Sequence, residues 1–279
     1  MKVKDAITLF RYQQKANLKQ RTIYSYNYIL KKFETRFEER SIDSISADEI
    51  YQFLESFTEG FSKSTRRLRY AQIKTLFNFI IDRCNLNIKN PCSSPLLSKA
   101  FRLPAIKSRK TADKEAVDEM IYNTNTMRDR LILELQARCG LRIGELLGLR
   151  VSDISNRKIL IREPKSGKDS EVAFMPEQIA KRVSEYIKEK GLNSDDRIFP
   201  ISYSTARTLI MKSGEKINIQ ISPHDLRGHS ATYASRNGVP LEIVSKIILR
   251  HHDLKTTQIY LGKVSESEAI RWMDTLHGK

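Results

Sequence analysis

Helical spacing of apolar residues governs this chain on both sides of one interruption, and the interruption limits it to two separately packed blocks. From Asn90 to Thr111 no period is sustained: Pro91, Ser93, Ser94, Pro95 and Pro104 give way to the basic run Lys107-Ser108-Arg109-Lys110. Proline lacks a backbone donor and pushes its predecessor out of the helical region, so this text reads as an interdomain linker. The 279 residues suffice for two ordinary cores. The expected division is a helical domain over 1–95, a linker over 96–111 and a second domain over 112–279.

Before the break, Ser46 and Glu49 have capping-box spacing and precede Ile50, Phe53, Leu54 and Phe57 on one helical face. Ile23, Tyr26, Ile29, Leu30, Phe33 and Phe37 form a second stripe, and Leu68, Ile73, Leu76, Phe77 and Ile80 a third. With residues 5–17 they predict a four-helix bundle. After the break a helix begins near Ala112, and residues 128–148 read as one long apolar helix with Arg142 near its end. Asn156 to Arg162 and Glu171 to Met175 read as the strands of a hairpin around Pro164-Lys165-Ser166-Gly167-Lys168. Helices resume at Pro176 to Lys190, around Thr205 to Lys212, and at Pro223, a residue suited to a first helical turn. The class is mostly α: an N-terminal helical bundle and a C-terminal mixed α/β domain with a small antiparallel sheet.

The formal net charge is +16, and it is uneven: 22 of the 49 lysines and arginines but only 10 of the 33 acidic residues fall within positions 1–110. Such a surplus favours a polyanionic partner, since each cation that meets a phosphate releases condensed counterions. An inert solubilising surface is the plainer alternative. A membrane partner is disfavoured, because no basic amphipathic helix with a bulky apolar face stands out. No stretch approaches the roughly 20 apolar residues of a membrane span, and Met1-Lys2-Val3-Lys4-Asp5 lacks a signal-peptide core, so a cytoplasmic protein is expected. Cys84, Cys92 and Cys139 form no Cys-x-x-Cys pair, which argues against disulfides or a thiolate zinc site.

Several side chains carry chemistry. His224 and Arg227, three apart on a helix, can touch one oxyanion together, or form an ordinary solvated pair. Arg142 stands among Leu131, Ile132, Leu133, Leu141, Leu146 and Leu147, where a guanidinium needs an anion; that anion is a ligand, or Glu145 three residues on. Lys165 and Lys168 lie in the hairpin turn, within reach of a substrate phosphate or of water alone. His251 and His252 are adjacent and point apart, with no spaced carboxylates to complete a cage, so no metal site is expected. Tyr260 closes the run Thr256-Thr257-Gln258-Ile259-Tyr260. A paired His and Arg, a second arginine, a second His and a late Tyr point to phosphate chemistry.

In their order, the run Ala137 to Leu146, the box His224-Asp225-Leu226-Arg227, and Leu249-Arg250-His251 followed by Thr256 to Tyr260 resemble the tyrosine recombinase (phage integrase) family, especially its Xer-like members. The resemblance spans the second domain, and the first agrees in length and helical pattern. It implies the DNA breaking-rejoining enzyme fold, in which a core-binding domain and a catalytic domain clamp double-stranded DNA at specific recombination sites. It implies Tyr260 as nucleophile, assisted by Arg142, Lys165, His224, Arg227 and His251. Lys165 is taken over Lys168 because the strand from Ile159 aligns with the family's strand ending in its turn lysine; Lys168 becomes a DNA contact. The chain departs from the pattern twice: Gly228 replaces the usual basic residue after the second arginine, with His229 one later, and the usual Leu-Gly-His reads Leu249-Arg250-His251.

The implied reaction is transesterification needing no metal or other cofactor. Arg142 and Arg227 neutralise the non-bridging oxygens, His251 adds a hydrogen bond, His224 takes the phenolic proton and Lys165 protonates the departing 5′ oxygen. Each proton transfer is worth roughly 10²–10⁴ in rate. The product is a 3′-phosphotyrosine with a free 5′ hydroxyl, and exchange passes through a Holliday junction in a tetramer. Ser265 and Glu268 again have capping-box spacing and introduce Ala269, Ile270, Trp272, Met273 and Leu276. That apolar tail helix either packs on its own domain or docks on a neighbouring protomer. Lys63, Arg66, Arg67 and Arg69 are the expected phosphate contacts of the first domain, with a solvated helix face as the alternative. A type IB topoisomerase and a non-catalytic DNA-binding accessory factor are the competing functions.

Overall fold

The computed structural model describes residues 1–103, 112–164, 168–251, 253, 254, 256, 257, 270, 273 and 275. They belong to two compact units, Met1–Ile106 and Lys107–Lys279. Lys165, His252, Tyr260, most of the tail helix expected after Ser265, and linker residues 104–111 lie outside the described residues.

The first unit is built on α1 (Val3–Asn17), α2 (Gln20–Phe37), α3 (Ala47–Phe57) and α4 (Lys63–Arg83). The capping box is present at α3: the Glu49 N–H donates to Ser46 Oγ at 3.3 Å, and the Ser46 N–H to Glu49 Oε2 at 3.0 Å. The apolar stripes converge on Phe33, which meets Phe53 and Phe77 edge-on at 5.2 and 6.2 Å. Leu68 does not join them and is 47% exposed. Five residues before Ile73 is nearly half a turn off the face, and Tyr70 fills that place instead. Nor does helix end at residue 96, where the sequence reading began the linker. Pro95 opens α5 (Pro95–Ala100), because a missing N–H costs nothing at the first helical position. Leu97 and Phe101 are thereby buried in this core, with Phe101 stacked on Tyr70 at 5.4 Å.

The second unit holds α6 (Lys114–Tyr122), α7 (Met127–Cys139), α8 (Ile143–Gly148), α9 (Glu177–Glu189), α10 (Tyr203–Glu215) and α11 (Pro223–Arg236). Its antiparallel sheet has the order β1 (Ile154–Ser155), β2 (Lys158–Arg162), β3 (Ser170–Phe174). The expected hairpin is β2–β3, with Ile159 paired to Ala173 and both buried. β1, with two residues, has too little sequence to show a period. α7 runs through the core and buries Leu131, Ile132, Leu133, Leu135 and Ala137. Its buried Glu134 is tolerated because Arg182 donates to both carboxylate oxygens, at 3.0 and 2.8 Å. Residues 128–148 are therefore two helices rather than the one expected. Among the described residues no helix is long and apolar enough to cross a membrane.

Candidate active site

The break between α7 and α8 creates the site. Gly140 ends α7 with φ +62°, a left-handed conformation that disfavours any residue bearing a Cβ by roughly 1 kcal/mol. A Cβ there would also stand 2.8 Å from the Ile248 carbonyl oxygen. Only glycine allows both the turn and the approach of the 248–250 segment. The turn sets Arg142 at the N-cap of α8, where its N–H donates to Glu145 Oε2 at 2.9 Å and Nη1 to Oε1 at 2.5 Å. Glu145, the alternative partner for Arg142 in the sequence, is thus engaged with it.

α11 supplies the second arginine. Pro223 occupies its first turn, and Asp225 closes a capping box by accepting from the Ser222 N–H at 3.0 Å. Arg227 then faces inward, 3% exposed, and donates through Nη1 to the Gly140 carbonyl and through Nη2 to that of Leu249. His224, one turn earlier on the same face, is exposed.

The third segment follows Leu241–Ile243, which continues as a π-helical turn over Val244–Ile248. The chain leaves that turn through Arg250, whose φ is +50°. Arg250 lies buried and donates to Glu145 Oε2 at 2.7 Å, while its own carbonyl accepts from Arg142 Nη2 at 3.4 Å. His251 comes next. Its Nδ1 stands 2.9 Å from Thr257 Oγ1, and Thr257, wholly buried, donates to Ser245 Oγ at 2.8 Å. With the threonine proton committed to Ser245, the imidazole hydrogen belongs on Nδ1. Burial, reinforced by the charges of Arg227, Arg142, Arg250 and His224, pushes the His251 pKa down to about 4. The His251 backbone N–H donates to the Ser245 carbonyl at 2.9 Å, directly after the carbonyls that Arg227 and Arg142 hold.

Four of the six expected catalytic residues, Arg142, His224, Arg227 and His251, therefore converge; Lys165 and Tyr260 are outside the described residues. Lys168 borders a cleft of about 410 Å³ with Glu171, Lys246, Arg250 and His251. Guanidinium groups gathered around main-chain carbonyls, beside a neutral imidazole, suit the oxygens of a phosphodiester. Reasoning from sequence missed Arg250 as a member of the cluster, and missed Ser245 and Thr257 as supports of His251. Thr257 lies in the run Thr256 to Tyr260, and Arg250 is a departure from the family's text. His229, the residue displaced by Gly228, takes no part: it is 2% exposed and its Nδ1 lies 2.9 Å from the Ala112 carbonyl.

On α4 the four expected phosphate contacts divide. Lys63 is exposed. Arg66 pairs with Glu55 and lies over the Phe101 ring at 5.4 Å, and Arg67 lies over Tyr70 at 5.0 Å. Arg69 donates to the Ser25 carbonyl at 2.7 Å and to Gln72 Oε1 at 2.9 Å, which makes it a strut between α2 and α4.

Comparison with known proteins shows the family and the fold. The model described as "Phage integrase family" matches residues 110–266, and "Phage integrase, N-terminal SAM-like domain" matches residues 9–83. Tyrosine recombinase XerA of Pyrococcus horikoshii is 30% identical over 254 residues, which is 86% of this chain and 82% of the relative. Tyrosine recombinase XerD of Shewanella oneidensis is 26% identical over 87% of this chain and 86% of its own. Among solved structures, the Tn1549 transposon integrase in complex with transposon right end DNA superposes with a TM-score of 0.80 at 17% identity, covering 99% of each chain. XerH site-specific recombinase bound to its palindromic substrate gives 0.73 at 18% identity, over 95% of this chain and 81% of that one. These two likenesses bear on the fold.

Proposed function

The chain belongs to the phage integrase family, and from that premise we propose that Tyr260 is its nucleophile, served by Arg142, Arg227, His224, His251 and the turn lysine Lys165. It is a tyrosine site-specific recombinase. The residue assignment rests on one observation above all: the Arg142 and Arg227 guanidinium groups donate to the main-chain carbonyls of Arg250 and Leu249, the two residues that lead into His251 and the Tyr260 segment.

The Tyr260 phenolate attacks the scissile phosphorus, the bond to the 5′ oxygen breaks, and a 3′-phosphotyrosine remains until another strand's 5′ hydroxyl reverses the step. An unperturbed phenol has a pKa of about 10, so His224 takes its proton, and Lys165 returns one to the leaving oxygen. Arg142, with 24% of its side chain exposed, reaches the non-bridging oxygens from the open side. Arg227 forms the floor. His251 enters the reaction uncharged near neutral pH and is held in orientation by Thr257. Double-stranded DNA carrying recombination sites is the substrate; Lys63, Arg66, Arg67 and Lys168 meet its backbone, with Arg69 contributing mainly as a strut. Four protomers assemble on it through the tail helix and exchange strands by way of a Holliday junction, in the cytoplasm.

The test is a nicked suicide substrate carrying the cognate site. Wild-type protein should give a protein–DNA band that survives denaturant and disappears in Tyr260→Phe; no such band from wild-type protein bound to that DNA would refute the reading.

A further inference from the structure

Position 250 is glycine in the usual family text, and here an arginine stands there in a left-handed backbone conformation that glycine adopts freely. The φ of +50° is one that arginine adopts against steric resistance. The side chain turns inward and is 3% exposed. Its Nη1 donates to the Ile248 carbonyl at 2.9 Å and its Nη2 to Glu145 Oε2 at 2.7 Å, while Nε stands 3.5 Å from Glu171 Oε2. Both carboxylates are nearly as deeply buried, with 9% and 8% of their side chains exposed. Three buried charges in contact persist only because they compensate one another.

Glu145 is also the carboxylate that holds Arg142, accepting from its backbone N–H and from Nη1. A carboxylate with no other cation would take an arginine in a fork and keep it. Burial works to raise the Glu145 pKa, but the Arg250 charge, together with the bonds and charge of Arg142, outweighs it and leaves the carboxyl below its usual range. Arg142 and Arg250 therefore share Glu145, and Arg250 reaches Glu171 as well. With glycine at 250, Glu145 loses the Arg250 cation and keeps Arg142.

We propose that Arg250 is a positioning residue: by engaging Glu145 and Glu171 it releases the Arg142 guanidinium to turn onto the incoming phosphate. The proposal rests on Arg142 acting at the scissile phosphate. Arg250→Gly is the informative variant, because glycine accepts the local φ and restores the usual text, so it should fold and bind duplex DNA as the parent does. Its single-turnover adduct formation should fall by about tenfold or more, and Glu145→Gln in that background should recover part of the rate, since a neutral amide holds Arg142 less firmly. A second readout needs no cleavage: phenylglyoxal labelling of Arg142 in DNA-free protein, read by peptide mass spectrometry, should slow in Arg250→Gly and recover in the double variant. Arg250→Met, which retains bulk without charge, should repeat both losses. Unchanged cleavage and labelling in Arg250→Gly, or a Glu145→Gln change that deepens the defect, would overturn the proposal. Were wild-type protein to form no adduct, the functional reading would fail, and the labelling would still decide whether Arg250 frees Arg142.

Discussion

Arg227 spends its guanidinium on the main-chain carbonyls of Gly140 and Leu249, so a substitution there is a structural event before it is a catalytic one. Lysine cannot span both acceptors, and leaving one buried carbonyl bare costs about 1–3 kcal/mol. Arg227→Lys should therefore lose adduct formation and melt several degrees lower; an unchanged melting curve would refute the structural part. His251 makes a second prediction. Its folded pKa of about 4 lies below the 6.5 of a free imidazole, so between these values the unfolded chain binds more protons. Its contribution to stability is complete above about 6.5 and is lost as pH falls toward 4. Melting temperature should accordingly fall less from pH 7 to pH 4.5 in His251→Gln than in the parent, and a parallel fall would contradict the assignment. At this scale Arg142, His224, Arg227 and His251 were legible because each sits in a short motif. Arg250 was not, since nothing in a sequence says that an arginine fills a left-handed position and turns into the core. Glu145 was visible only as one of two partners for Arg142, and the structure shows it bonded to both Arg142 and Arg250.

Elements were legible wherever one periodicity ran uninterrupted. The bundle of α1 to α4, the Ser46 capping box and the β2–β3 hairpin followed from apolar spacing and turn residues. The division of 128–148 did not, because the apolar pattern continues across Gly140 and only backbone geometry reveals the turn. Leu68 falls outside the stripe because five helical residues turn it away from the face of Ile73. The turn at Gly140 carries a prediction of its own: Gly140→Ala adds a left-handed strain of about 1 kcal/mol and forces the Ile248 carbonyl away. That displaces Arg250 and His251 together, so adduct formation should fall far more than the melting temperature does. Equal losses in both would mean that the turn serves only folding.

For the molecule as a whole, the proposed function assigns the holding of DNA to the excess of basic residues in positions 1–110 and its cutting to the cluster on the second unit. The two helical blocks were legible from a single break in periodicity, while the start of the linker was not, since Pro95 can end a helix or begin one. If the tail helix links protomers, truncation after Gly262 should abolish tetramers on DNA while leaving monomer binding, and tetramers surviving the cut would count against that role. The central claim concerns one phenolic oxygen. After reaction with a suicide substrate and nuclease digestion, trypsin should release residues 256–263, bounded by Lys255 and Lys263, with Tyr260 bearing a 3′-linked nucleotide. Mass spectrometry that finds the nucleotide on that tyrosine supports the account; a nucleotide on any other residue of the chain would contradict it.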